Sequence, residues 1–580
     1  MIANKLSQGL LAWLDHLRLR LASPEAILLL SILAVLTGLL TGLVIVLFRF
    51  LLEFVQIYLL PSKTPDDYES LHYLYRLALP LGGALLLAVL FQPMLHRYRQ
   101  VGILHVFERL QYHQGRMPWV NMVMQFFGAG IAILSGHSVG REGPGIHMGA
   151  YSGSWVAQRL QLPNNSTRTL VAGGAAAAIG ASFNTPLAGI IFAMEVVMQQ
   201  YSVQGFVPVI LAAVSGTYLA QSLLGKESFF EVTLDAVNTS QDWWLAVLLG
   251  MGIGVLSAVF NFLLIQITRL SMRYALWQRF VLAGLLMGAI GWQVPASMGI
   301  GYDTVNQTLN GQVVMATLTV ILLAKLAASV LCLGLGIPGG VIGPLMFMGA
   351  AAGGVLVTLS YSSDMTFLIP AEPKLYPLIG MGAMFSASLQ APLAGLTAIM
   401  EMAGNADIIL PAMLAIVSAN LTSKVIFQHD SIFSSLLQAR GLDHSSSVVM
   451  QRLRMIGAAS IMNRSFALCG GSLSRESAQA LLSHGPQWLV ITDTERQPRE
   501  MVRSLDLQGF LETHPQVDSI QLREIPGKRL QLAALSARAS LQEALDALNK
   551  SGAEALYLHR EAGGHIYGVI TRERVNKAWL

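Results

Sequence analysis

The sequence predicts an all-α, multi-pass membrane domain followed by a small soluble α/β domain, and three observations carry that prediction: composition, long apolar runs, and a change of character near Arg440. Of the 580 residues, 53% are hydrophobic and 12% charged, and the mean hydropathy is +0.55; a soluble domain carries about 25% charge. Apolar runs occupy 26–48, 77–91, 243–265 and 313–335, and several exceed the roughly 20 residues that cross a bilayer as a helix. From 445 to 580 charges are frequent and no run is long enough to span.

Residues 1–22 read as an amphipathic helix lying on the membrane, because Asp15, Arg18 and Arg20 break its apolar face and no small-residue cleavage site follows a compact apolar core. Lys5, Arg18 and Arg20 precede the first run, and Arg97 and Arg99 follow the second, while the loop between carries Lys63 against Asp66, Asp67 and Glu69. Positive loops stay inside, so both termini are expected in the cytoplasm of a cell-membrane protein. The net charge of +4 is then met by basic loops beside anionic lipid, and no nucleic-acid partner is needed. Cys332 and Cys469 are the two cysteines; they form no pair at metal spacing.

The membrane domain, 23–440, repeats internally. GPGIHMGA (143–150) matches GPLMFMGA (343–350) in five of eight positions, and PLAGIIFAME (186–195) matches PLAGLTAIME (392–401) in six of ten. Two landmarks in the same order mark duplicated halves at about 23–224 and 242–440, and folds built this way place their site where broken helices of the two halves meet. The tail repeats too: 472–492 and 540–559 each read as an amphipathic helix, a turn at Gly485 or Gly552, and a short strand.

SGHSVGREGP (135–144) and LGLGIPGGVIGP (333–344) interrupt the apolar pattern. Irregular backbone at membrane depth survives only where it is buried in protein or lines a watery cavity. Pro144 and Pro344 suit the first turn of a restarting helix, and such an N-terminus offers free N–H donors and about half a positive charge to an anion. Glu142 stands just before Gly143 and Pro144. An unpaired carboxylate at the bilayer centre costs about 2.5–3.5 kcal/mol on insertion scales. Its side chain can fill the place an anion would take and act as a tethered gate that protonation opens. The bland alternative is an ion pair of Arg141 with Glu142, or a simple helix cap.

GREGP (140–144), GIPGGVIGP (336–344) and the two PLAG segments resemble the CLC family of chloride channels and chloride/proton exchangers, here its bacterial, channel-like branch. The tail resembles a tandem CBS module, with SIMNRSF (460–466) opening the first copy. The resemblance implies an inverted repeat, a homodimer with a separate pore in each subunit, and location in a bacterial inner membrane. It also implies that Glu142 is the gating glutamate and that bound chloride rests on Arg141, Gly143, and the backbone amides of Val341 and Ile342. The segment QVGILHV (100–106) takes the place of the family's GSGIPE, so Val101 stands where a serine hydroxyl is usual, Gly102 beside it is expected at the anion site with it, and Phe433 stands where a pore tyrosine is usual. Both hydroxyl donors are missing. Glu195 is followed by Val196, where many exchangers carry a second glutamate that passes protons. Valine cannot ionise, so the expectation is passive, gated chloride transport of the voltage-gated channel type, with a chloride/proton antiporter as the alternative.

Weaker signals complete the reading. His137 and His147 flank GREGP, where a histidine could tune the gate's response to pH or simply pack; Glu195 and Glu401 hold equivalent repeat positions that could belong to a proton relay or serve as helix-terminal or ion-pair structure; and Lys325 lies in an apolar run with no assigned role. In the second tail repeat Thr571 matches a ribose-holding position, but Arg574 replaces the acidic residue expected three places later; an adenine nucleotide there is the only cofactor weighed. Two rivals are an intramembrane enzyme using Glu142 with histidine ligands, which no HExxH or paired Asp supports, and a transport-dead sensor signalling through the tail. The chain reads as a transporter and not an enzyme.

Overall fold

A computed structural model describes residues 18–23, 26–201, 203–226, 243–362, 370, 372–442, 448–493, 495–560 and 565–578. Most of the amphipathic N-terminal helix expected at 1–22 therefore lies outside the described residues. The chain divides into two units, one made of 31–156 and 169–445, the other of 1–30, 157–168 and 446–580.

Among its described residues the larger unit is built of helices joined by irregular breaks. Its first half runs α1 (Ile27–Leu59), α2 (Tyr73–Phe91), α3 (Ile103–Tyr112), α4 (Trp119–Leu134), α5 (Glu142–Leu160), α6 (Asn164–Phe183), α7 (Pro186–Phe192) and α8 (Val203–Leu224). The second half repeats the order as α9 (Trp243–Ser271), α10 (Leu276–Gln293), α11 (Tyr302–Leu309), α12 (Met315–Gly334), α13 (Ile342–Ser362), α14 (Leu375–Leu389), α15 (Pro392–Ala403) and α16 (Ile409–Leu421), and α17 (Ile432–Ala439) follows. Among the described residues seven helices are long and apolar enough to cross a membrane, so this is a multi-pass membrane protein. Leu28, Tyr218, Leu410 and other large side chains on their outer faces are exposed, as lipid-facing residues are.

Local chemistry marks the same breaks in both halves. Pro186 and Pro392 open α7 and α15, where a missing N–H costs nothing. Gly102 (φ +81°) and Gly301 (φ +83°) precede α3 and α11 in a left-handed conformation that side chains avoid. At the centre of each half the backbones of α5 and α6, and of α13 and α14, approach so closely at Gly149–Gly174 and Gly349–Gly380 that no Cβ fits. Every residue of α14 is buried, which is why it reads as apolar all round and not amphipathic. Two further contacts join the halves reciprocally. Gly140 and Gly340 exchange N–H···O=C bonds of 2.8 Å each. The carboxylate of Glu195 accepts the N–H groups of Leu393 (3.3 Å) and Ala394 (2.8 Å), while that of Glu401 accepts those of Leu187 (2.9 Å) and Ala188 (2.7 Å). A local pseudo-two-fold relation between the halves follows from this exchange.

The smaller unit carries β1 (Phe466–Cys469), β2 (Ser472–Ser474), β3 (Trp488–Thr492), β4 (Pro498–Arg503), β5 (Ser519–Gln521), β6 (Leu530–Ser536), β7 (Ala555–His559) and β8 (Ile566–Thr571). Its main sheet has the order β1-β3-β4-β6-β7-β8, with β1/β3 and β6/β7 parallel and the other pairs antiparallel. Each half of the sheet follows the expected plan. Helices α19 (Arg475–Ser483) and α21 (Leu541–Ser551) end before Gly485 (φ +63°) and at Gly552 (φ +67°), and β3 and β7 follow. A capping box of Ser540 and Glu543 starts α21, satisfying two amides that the helix leaves open. The remaining helices are α18 (Val448–Arg454), α20 (Ser504–Thr513) and α22 (Arg572–Lys577). Within this unit Ala22 packs into the core with Leu453, Ala458 and Leu541. The end of the segment predicted to lie on the membrane is thus buried in protein.

Candidate functional site

Four adjacent glycines open the site. The paired bridge at Gly140 and Gly340 brings the starts of α5 and α13 together, and a Cβ on Gly143 would fall 2.6 Å from the Gly340 Cα. Such contact is open only to glycine. It leaves the side chain of Glu142, 1% exposed, pointing across to the other half. There Glu142 Oε2 accepts the N–H of Gly343 in the first turn of α13 (3.2 Å), and Oε1 accepts the hydroxyl of Tyr302. The carboxylate therefore occupies a helix N-terminus, where unpaired N–H groups and the helix dipole favour negative charge.

The surrounding residues fix this geometry. Val341 and Ile342 are buried at the start of α13. The Arg141 guanidinium lies 5.3 Å from the centre of the Tyr302 ring, a cation–π distance, and the Phe183 ring centre is 6.4 Å away. Lys325, to which the sequence reading gave no role, is fully buried, and its Nζ donates to the carbonyls of Ser297 (3.3 Å), Gly299 (2.9 Å) and Ile300 (3.1 Å). It thereby ties down the turn that delivers Tyr302.

Residues expected at the anion site separate into two groups. Glu142, Gly143, Val341 and Ile342 come together, with Arg141 beside them. Phe433, at the start of α17, is buried and packs on Phe107 of α3, ring centres 5.5 Å apart. Val101 is half-buried just before α3. Gly102 corrects an expectation: its N–H donates to Gln125 Oε1 at 2.5 Å, so that amide is spent within the protein and is not offered to an anion.

The other candidates also have places. Glu195, weighed as a proton relay, is committed as the cap of α15, and Val196 is buried in the π-turn Ala193–Met198 that extends α7. His147 does not stand alone: its Nε2 is 2.8 Å from His105 Nδ1, and Arg109 Nε donates to His105 Nε2 at 2.9 Å. Arginine is always a donor, so neutral His105 carries its proton on Nδ1 and gives that hydrogen bond to His147. His137 Nδ1 is 2.9 Å from Ser135 Oγ. In the tail, the hydroxyl of Thr571 caps α22 by accepting the N–H of Arg574, whose side chain is exposed. Among the described residues no cluster of three or more His, Cys, Asp or Glu side chains is arranged to hold a metal ion.

Sequence reasoning missed Tyr302, His105 and the Lys325 tether. A signal for the first was present: VGILHV (101–106) and IGYDTV (300–305) share a Gly-led break in the two halves, a third landmark of the repeat that puts Tyr302 where the first half has Ile103.

A broken-helix membrane fold of two related halves, with a carboxylate at the N-terminus of one break, defines an ion-transport protein. A family model described as voltage gated chloride channel matches residues 82–424, more than half of the chain, and the chain belongs to that family. It is 30% identical over 331 residues to the H(+)/Cl(-) exchange transporter ClcA of Vibrio campbellii, an alignment covering 55% of this chain and 69% of the relative. Among solved structures it is similar to a slow cyanobacterial Cl-/H+ antiporter (TM-score 0.62, 22% identity, 71% of this chain and 97% of the other). It is also similar to a eukaryotic CLC transporter (TM-score 0.57, 19% identity, 94% of this chain and 97% of the other). The two structural likenesses establish the fold.

These findings overturn the expected channel. The relative with 30% identity is named an exchange transporter, and an inference from Val196 alone is too narrow physically. A valine at one position removes one proton carrier only; buried titratable side chains at His105, His147 and Tyr302 lie in the same unit.

Proposed function

We propose that this protein is a chloride/proton antiporter of a cell membrane, acting as a homodimer with a separate pathway in each subunit and an inverted repeat in its membrane domain. One observation carries the reading: the buried carboxylate of Glu142 sits on the N–H of Gly343 at the start of α13. Chloride and an ionised carboxylate compete for the same donors there, because both are stabilised by the same N–H groups and the same helix dipole. When a proton binds Glu142, the neutral carboxyl loses that attraction and the amides pass to the anion, together with those of Val341 and Ile342. When the anion leaves, the proton leaves and the carboxylate returns. Because the anion and the ionised carboxylate exclude each other, protonation of Glu142 and anion binding favour one another; that is a coupling free energy, and coupling is reciprocal. Relatives named as exchangers support the same reading. The site rests on backbone donors, since Val101 and Phe433 offer no hydroxyl. The paired α/β repeats of the tail support its reading as a tandem CBS module.

Purified protein in liposomes tests the role of Glu142. Glu142→Gln, which mimics the protonated form, and Glu142→Ala should both carry chloride with a flat pH response, and both should lose coupled proton movement. Chloride flux abolished in both variants, with normal folding, would refute it.

A further inference from the structure

We propose that Tyr302 is a positioning residue of the gate: its hydroxyl holds the ionised Glu142 in the anion's place and thereby sets the pH at which the gate opens. The inference rests on the reading of Glu142 as the gate.

Three observations support it. The Tyr302 hydroxyl donates to Glu142 Oε1 while Gly343 holds Oε2, so the carboxylate is gripped from both of its oxygens. The tyrosine itself is held on all sides. Its backbone follows Gly301 in a left-handed turn, the preceding carbonyls are tied by Lys325, and Arg141 lies over its ring. Finally, Tyr302 and Arg141 form part of the wall of a polar cavity of about 240 Å³ that also reaches Asp303, Asp66 and Gln56, roomy and polar enough for water. Tyr302 thus stands between the gate and a space from which a proton can come.

The hydroxyl distinguishes the two states of Glu142. It is a donor to a carboxylate, and a charge-assisted bond of this kind favours the ionised form over the protonated one. Other charged or titratable groups act in the same field: Arg141 adjoining it, Asp303 on α11, Lys325 on α12, Glu53 on α1 and Asp66 in the loop after α1. Tyr302 is hydrogen-bonded to the carboxylate itself. Removing the hydroxyl withdraws more stabilisation from the ionised, blocking state than from the protonated one. The proton then binds at higher pH and flux persists to higher pH.

The test is chloride efflux from proteoliposomes as a function of pH, each profile scaled to the variant's own flux at low pH. Tyr302→Phe should move the midpoint upward by about 1–2 pH units, the equivalent of one hydrogen bond to a charged group. Replacing Tyr302 by 3-fluorotyrosine, a more acidic and stronger donor of nearly the same shape, should move it downward, and this variant decides the matter if phenylalanine impairs folding. In the Glu142→Gln background, Tyr302→Phe should leave the flat profile unaltered. Wild-type midpoints for both tyrosine variants beside a flat Glu142→Gln profile would overturn the role of Tyr302 and leave the gate standing. A Glu142→Gln profile that keeps the wild-type pH dependence would instead remove the reading on which the inference rests.

Discussion

Glu195 and Glu401 offer a test of structure against sequence, because one arrangement makes them reciprocal helix caps and the other would make Glu195 a proton relay. Each carboxylate accepts two N–H groups in the first turn of the opposite half's helix, at 3.3 and 2.8 Å for Glu195 and at 2.9 and 2.7 Å for Glu401. Hydrogen bonds to a charged group contribute about 1.5–3 kcal/mol when well formed, and replacing a capping side chain by alanine costs about 0.5–2 kcal/mol. Both carboxylates are half-buried, so water replaces part of what is lost. Glu195→Ala should then cost about 1–1.5 kcal/mol and Glu401→Ala, with two short bonds, about 1.5–2.5 kcal/mol. Glutamine keeps one acceptor and should cost about 0.5–1 kcal/mol at either site. Thermal unfolding in detergent at fixed chloride concentration reads the order: wild type, the glutamine variants, Glu195→Ala, Glu401→Ala. The proton-to-chloride ratio of Glu195→Gln should equal that of wild type. A Glu195→Gln protein with unaltered stability but no proton transport would refute the cap and restore the relay.

Two further outcomes follow from the surroundings of the site. Phe433→Tyr adds a hydroxyl where the fold carries only an apolar ring beside Phe107, and chloride binding measured by calorimetry should tighten by about 0.5–1.5 kcal/mol; unchanged affinity would place that ring away from the anion. Lys325→Met strips the donors from three carbonyls while relieving the burial of a charge, and the balance should be a loss of about 2–4 kcal/mol, seen as a lower unfolding temperature in detergent.

Much of this architecture is legible in the chain. Runs of apolar residues mark the spanning helices, since a bilayer accepts little else, and the Gly-Pro breaks mark α5 and α13 because restarted helices need those residues. The tail's two copies announce themselves through Gly485 and Gly552, which only a helix-ending turn explains so regularly. The partners of the broken helices are less legible. Tyr302 meets Glu142 across 160 residues of chain, and no local periodicity records a contact of that kind; only the alignment of the VGI and IGY breaks hints at it. Gly102 shows the opposite failure. A glycine before a helix looks like an open donor until the fold supplies Gln125 to take its N–H. Val196 shows a third: valine is not a proton carrier, but one missing side chain cannot define a transport class when the proton's other carriers are set by packing.

The central claim, that chloride and proton exchange at one site through Glu142, is tested most directly by the reversal potential of the wild-type protein in liposomes under a fixed chloride gradient as a pH gradient is imposed. Exchange couples the two ions, so the account requires the reversal potential to move with the pH gradient and requires a chloride gradient alone to drive protons uphill. A reversal potential that stays at the chloride equilibrium value whatever the pH gradient, with no uphill proton movement, would contradict it.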